Sequence, residues 1–381
     1  MPIHATVRHE NGVFAIESDI GYCISHEIAD SANLDVTQTA NFAAWALLPI
    51  GMTLGRDIVI ENAGDSVTEK NARTLSEIWF SWLPQKFKPI SVSFQSHKNV
   101  PPAITDEELV FFSGGIDSTY NLLKRMEDGK KQVLLTVDFG NTGPEQFSQL
   151  LSRTGALASA ASDSRLIVRT NVFRIYKQLG IRPDIGHGFA LASVGFLWDG
   201  ILSGANIAAD SARFQEPIWY PWGTNSVTNE LFKSSSFGLD TSCLSLTRSQ
   251  KIHELSENPA QLDSLVFCTN RKIQPKNCGT CSKCVRTKAM FLATAGHIPN
   301  IFVDSTWDGK FFKSIESKLR KERVYLIDIY MEAAKRGRTI PGLNAAFRKL
   351  VLDCEHSTDK TGFWPSIKKS FNKLMKPRFQ N

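Results

Sequence analysis

The stretch ELVFFSGGIDSTYNLLKRM, Glu108 to Met126, decides how the chain reads. Leu109 to Phe112 is an apolar run of strand length. Leu122, Leu123 and Met126 recur at helical spacing, and Gly129 is placed to stop that helix. Ser113, Gly114 and Gly115 therefore fall in a sharp strand-to-helix turn. Such a turn aims backbone N–H groups and the positive end of a helix dipole at one point, which is a site for an anion.

Outward from this turn the pattern alternates. QVLLTVDFG reads as a second strand ending at Asp138, and RLIVRT as a third. HGFALASVGFLW reads as a helix and DGILSGAN as a fourth strand. Alternating strand and helix predicts an α/β domain with a doubly wound parallel sheet, whose ligands sit at the carboxyl ends of the strands. SGGIDS, DFGN and SGAN are expected at those ends, converging on one cleft.

Residues 1–103 read as a separate N-terminal α+β unit. Its expected strands are ATVRH, GVFAIES, DIVIEN and PISVSF, its helices ANFAAWALLPIGMTLG and TEKNARTLSEIWFSWL, and Pro101-Pro102 marks a linker. Residues 104–299 form the nucleotide-type domain, and 300–381 a basic helical extension.

Among 381 residues, hydrophobic content is 42% and charged content 22%, as expected of a globular protein with room for several domains. No apolar run is long enough for a transmembrane helix, and MPIHATVRHENG has no apolar signal core. A cytoplasmic location is the expectation. The net charge of +6 is uneven: residues 310–381 carry 17 Lys/Arg against 7 Asp/Glu, a net of +10, leaving −4 for the rest. This segment is either a solvated helical face or a contact surface for an acidic partner or nucleic acid.

SGGIDS is neither a Walker A loop, which needs a lysine, nor G-x-G-x-x-G. Glycines let the backbone approach phosphates, Ser113 and Ser118 offer hydroxyls, and Asp117 beside an anion makes chemical sense with Mg²⁺ between them. Asp138 is a candidate for the metal or a ribose, or simply a turn former. A second cluster is Cys268, then Cys278-Gly-Thr-Cys281-Ser-Lys-Cys284. Thiolates at this spacing wrap one tetrahedral ion; zinc is favoured, with an iron–sulfur cluster as the alternative. Cys243 is a weaker fourth ligand. Lone Cys23 and Cys354 read as small buried hydrophobes.

Ser113, Gly114, Gly115, Asp117 and Ser118 together resemble the PP-loop of the N-type ATP pyrophosphatases. With the cysteine pattern C-x₉-C-x₂-C-x₂-C some 150 residues later, residues 106–297 look like 7-cyano-7-deazaguanine synthase. The resemblance implies that the loop grips the pyrophosphate of ATP, with Ser113 and Asp117 catalytic. A carboxylate, 7-carboxy-7-deazaguanine, would be adenylated, and an amine would then form the amide. It also implies that Asn206 sits where the family holds its purine-like base. Asp210, four residues later, is a further substrate candidate, with loop polarity the plain alternative for both. His187 is a candidate to face the cleft, although a helix cap is the favoured reading. Trp219, Tyr220 and Trp222 are candidates for stacking or for packing. The leading unit and the basic extension depart from the compact synthase. They are similar to synthase-like proteins of bacterial antiphage islands, including CBASS-type systems, where the acceptor amine belongs to a partner protein. Free synthase chemistry with ammonia, tRNA thiolation and nucleotide binding without turnover stand as alternatives. The added regions serving homo-oligomerisation is another.

Overall fold

The computed structural model describes residues 1–140, 142–315 and 320–357. Its centre is β6 (Glu108–Phe111), nearly all buried, flanked in the same sheet by β7 (Gln132–Asp138) and β9 (Ala205–Ala208). β8 (Arg165–Thr170) lies beyond β7, and β10 (Leu239–Ser242) beyond β9; all five strands run parallel. The chain thus moves one way from β6 to β8, then returns to the other side of β6 for β9 and β10. Between β6 and β9 the winding reverses, and a crevice opens there at the carboxyl ends of the strands. α3 (Ile116–Glu127) follows β6 directly and stops at Asp128, with Gly129 at φ +65°. The left-handed cap expected from the sequence is there.

The sheet does not end at the β8 edge. β3 (Cys23–Asp30) pairs antiparallel with β8, and the order continues through β2 (Val13–Ser18), β1 (Ile3–Glu10), β4 (Ile58–Gly64) and β5 (Val92–His97). The ten strands make one mostly parallel sheet. This differs from a separately cored unit at 1–103. Residues from Ile3 to Leu239 share one apolar core. α1 (Asn41–Leu54) is buried from Asn41 to Met52, as expected of a helix apolar all round. It packs on α6 (Pro183–Gly195), with Trp45 edge-on to Phe196 and Phe232.

Two strands lie outside those expected. β3 hides a histidine, His26, among its inward residues, which interrupts the apolar alternation. β10, LDTS, is polar after its buried Leu239 and too short to show an alternation. A further difference concerns DGILSGAN. Asp199 and Gly200, the latter at φ +81°, form a turn, so β9 starts only at Ala205. Buried Asp199 holds that turn by accepting hydrogen bonds from Asn41 Nδ2 at 2.7 Å and Ser236 Oγ at 2.7 Å.

The helices Arg320–Lys335 and Leu343–Ser357 pack with Arg248–Ser256 and Ser282–Thr294 around a second core that also takes in Ile116 and Tyr120 of α3. Part of the basic extension is therefore built in: Glu322 pairs with Arg286 at 2.7 Å, and Asp328 accepts from the Ser249 N–H at 2.9 Å. Residues 358–381 of the extension lie outside the described residues, as does the side chain of Cys354. No described helix is long and apolar enough to cross a membrane.

Candidate functional site

The turn after β6 is shaped by close approach. Gly114 has φ +70°, and a Cβ there would lie 2.6 Å from Thr154 Cγ2. Its carbonyl accepts from the Val266 N–H at 2.7 Å, which ties the loop to the segment leading into the cysteines. Ser113 and Ser118 hydroxyls face each other at 3.1 Å, and Ser118 Oγ also donates to the Gly115 carbonyl at 3.2 Å. Gly115 is the N-cap of α3 with extended backbone and no side-chain cap, so the first N–H groups of the helix point outward, as an anion requires.

This loop lines one cleft of about 240 Å³, together with His187, Asp210, Thr224, Arg248 and Lys283. The cleft thus gathers Ser113, Gly115, Asp117, Ser118, His187 and Asp210 from the sequence candidates. Asp117 is clasped by cations. Both of its oxygens bond Arg248, through Nε at 3.3 Å and through Nη2, and Lys251 Nζ stands 3.5 Å away. Arg248 Nη2 also meets Asp210 Oδ1 at 3.2 Å. Burial opposes the Arg248 charge, but Asp117, Tyr325 and Asp210 hold the guanidinium firmly protonated. Burial would raise Asp210 as well; Arg248, His187, and hydrogen bonds from Trp222 Nε1 at 2.9 Å and Thr224 Oγ1 at 3.0 Å bring it below its ordinary value. The Lys283 ammonium has no hydrogen-bond or ion-pair partner among the described residues. Burial, Arg248 and Arg286 push it down to about 8.

Arg248, Lys251 and Lys283 carry no motif in the sequence. TRSQK reads as an exposed helix start; packing of α3, Ser282–Thr294 and Arg320–Lys335 around it buries Arg248 and Lys251, the Lys251 ammonium donating to the Ala209 carbonyl at 2.6 Å. Asp328 and Glu332 anchor that start through the Ser249 N–H and Gln250 Nε2.

Two expected residues are not brought to the cleft. Asn206 lies inside β9 and not at its end, because the strand starts late. Its amide is spent on Asn121 at 2.9 Å and Ser242 at 2.7 Å. Asp138 closes β7 in a turn, accepting from the Gly140 N–H at 2.8 Å, while its neighbours Val137 and Phe139 line the cleft. His187 does not cap a helix; Arg182 is the N-cap of α6, and the imidazole projects into the cleft from the first turns. Tyr220 stacks on Trp82 at 5.1 Å, so it packs.

Cys268, Cys278, Cys281 and Cys284 place their sulfurs within 4.8 Å of one another. The pairs Cys268–Cys281 and Cys278–Cys284 are 3.9 and 3.8 Å apart. Four thiolates about 2.3 Å from one tetrahedral ion would be spaced about 3.8 Å apart. Backbone N–H groups of Cys278 and Cys281 point at Cys268 Sγ (3.4 Å) and Cys278 Sγ (3.2 Å), which favours thiolates. The four residues can hold a metal such as zinc, and a closed site of this kind is structural. Cys243 is not part of it; its Sγ faces Asn121 Oδ1 at 3.6 Å. Cys23 is exposed, contrary to the buried role expected.

Comparison of the chain with family models, with curated proteins and with solved structures finds no match.

Proposed function

We propose that the chain is an ATP-dependent, AMP- and pyrophosphate-forming enzyme that activates a carboxylate and passes it to an amine. The observation that carries this reading is the SGGIDS turn at the carboxyl end of β6, opening into a cleft lined by Arg248 and by Lys283, whose ammonium is unpaired among the described residues. A triphosphate fits that combination: outward N–H groups and two serine hydroxyls for oxygens, and two cations for charge that builds on the leaving pyrophosphate. Mg²⁺ would enter with the nucleotide and neutralise phosphate charge. Asp117 offers the carboxylate, and its 3.5 Å contact with Lys251 is the weaker of its attachments. Asp117 also fixes Arg248, so its role is to hold the clamp as well as the metal.

The favoured carboxylate is 7-carboxy-7-deazaguanine, on the resemblance to the synthase, and the apolar side of the cleft (Phe111, Leu135, Ile207) suits a flat base. The favoured acceptor is an amine of a partner protein in antiphage defence, with ammonia as the alternative. Sulfur transfer is disfavoured. Four cysteines are gathered in the knuckle, and burial raises the thiol of Cys243, the opposite of what a sulfur carrier needs. Four thiolates at tetrahedral spacing favour zinc as the knuckle's ion.

The test is exchange of labelled pyrophosphate into ATP by the purified chain. Exchange that requires 7-carboxy-7-deazaguanine and is abolished by Asp117→Ala supports the reading. Release of ADP and phosphate, or no exchange with the native chain, overturns it.

A further inference from the structure

Facing the loop across the cleft is a chain of three groups that the activation step leaves unused. His187 Nδ1 lies 2.9 Å from the Pro183 carbonyl, one turn back in α6. A carbonyl only accepts, so Nδ1 carries a hydrogen and the ring's free lone pair, when neutral, is on Nε2. Nε2 is 2.7 Å from Thr224 Oγ1, which in turn is 3.0 Å from Asp210 Oδ2. All three side chains line the cleft.

The hydrogens can be counted. Thr224 has one hydroxyl hydrogen for two neighbours. With His187 neutral, that hydrogen goes either to Nε2 or to Asp210. With His187 doubly protonated, Nε2–H donates to Thr224, Thr224 donates to Asp210, and every contact is satisfied. The arrangement is therefore able to take up one proton, and Asp210, 4.0 Å from Nε2, balances the charge gained. A hydroxyl on a base whose other nitrogen is held by a third group is the geometry of an activated proton acceptor. Before uptake, burial keeps His187 below its ordinary pKa, against Asp210, the Pro183 carbonyl and Asp184, so the neutral base prevails at neutral pH.

The backbone is shaped for this contact. A Cβ at Gly188 would lie 1.9 Å from the Gly223 carbonyl oxygen, and one at Gly223 would lie 2.4 Å from His187 Nδ1. Only glycine at both positions lets the strand of chain carrying Thr224 lie on α6. The Gly223 N–H donates to the Asp184 carbonyl at 2.8 Å, and Trp222 closes edge-on over the imidazole at 5.2 Å.

We propose that His187, acting through the Thr224 hydroxyl, accepts the proton that the attacking amine loses as it joins the activated carboxylate. The inference rests on the reading above. In the step, the amine nitrogen forms a bond to the acyl carbon, and the bond from that carbon to the AMP oxygen breaks, its electron pair leaving with AMP. The proton from nitrogen passes to Thr224 Oγ1 while the threonine's own hydrogen passes to His187 Nε2. Afterwards Thr224 donates to Asp210.

The experiment compares two nucleophiles on the full chain, supplied with ATP, Mg²⁺ and 7-carboxy-7-deazaguanine. Hydroxylamine is far less basic than ammonia, and its adduct loses a proton readily, so it needs little help from a base. In His187→Gln the ratio of ammonia-derived amide to hydroxamate should fall on the order of 100-fold, the worth of a positioned general base. Thr224→Val should lower the same ratio, and Thr224→Ser should restore it. An unchanged ratio in His187→Gln, or equal ratios for Thr224→Val and Thr224→Ser, overturns the proposal; the threonine pair decides it if the histidine variant fails to fold. A native chain that yields neither amide, hydroxamate nor pyrophosphate overturns the activation reading itself.

Discussion

Arg248 and Asp117 are joined side to side across the cleft, the guanidinium reaching both carboxylate oxygens, with Nε 3.3 Å from Oδ1. Both side chains are largely buried, at 8% and 15% exposure. Removing Arg248 leaves the Asp117 carboxylate only the longer contact with Lys251 at 3.5 Å. Arg248→Met should therefore cost about 3 kcal/mol of stability, read from urea midpoints. In a double-mutant cycle with Asp117→Asn, coupling of at least ~1 kcal/mol is expected. Additive losses would mean that the pair is not a unit.

The cysteine knuckle should hold one zinc ion per chain. Metal analysis of the purified protein is the direct measurement, and iron with sulfide would refute it. The four cysteines sit in or against the second core, so metal loss should be felt there. Cys281→Ser, or a strong chelator, should lower the melting temperature and expose the helices Arg248–Ser256 and Ser282–Thr294 to hydrogen exchange, because metal binding at such a site is folding energy. Unchanged protection after metal removal would make the ion incidental.

Acid should destabilise the fold through His26. It is fully buried on β3, bonded through Nδ1 to Thr170 Oγ1 at 2.9 Å, and burial pushes its pKa down to about 3 from an ordinary 6.5. The unfolded chain therefore binds this proton first. The contribution is complete above pH 6.5 and is lost as pH falls toward 3. By pH 5 the loss should be about 2 kcal/mol. His26→Gln should flatten the fall in stability between pH 7 and 5. An equal slope in the variant would assign the acid sensitivity elsewhere.

Residues 104–381 expressed alone should not fold. Without residues 1–103, α6 loses the cover of α1, and β8 becomes an exposed edge inviting aggregation. Asn41→Ala in the intact chain should cost about 1–3 kcal/mol, since it strands buried Asp199 short of a donor. A soluble 104–381 fragment with a cooperative thermal transition would show that the first 103 residues are dispensable for folding.

The parts legible in the sequence are those set by neighbours along the chain. The strand, glycine turn and helix from Glu108 to Met126 need only apolar spacing and backbone freedom, and they stand as read. The four cysteines are close in sequence, so their convergence follows from short loops. The buried character of α1 is plain in its composition. What the sequence left open are relations between distant residues. Whether residues 1–103 form their own core depends on β3 meeting β8, a pairing disguised by His26 facing inward. Where β9 starts depends on Asp199 being captured by Asn41 and Ser236, and that decides whether Asn206 or Asp210 reaches the cleft. Arg248, Lys251 and Lys283 are ordinary surface types until the helix Arg320–Lys335 and the cysteine segment enclose them. Burial and pairing across more than a hundred residues turn a basic helix start into a charged cleft, and the tertiary structure alone decides that, because desolvation depends on what packs from outside the local chain.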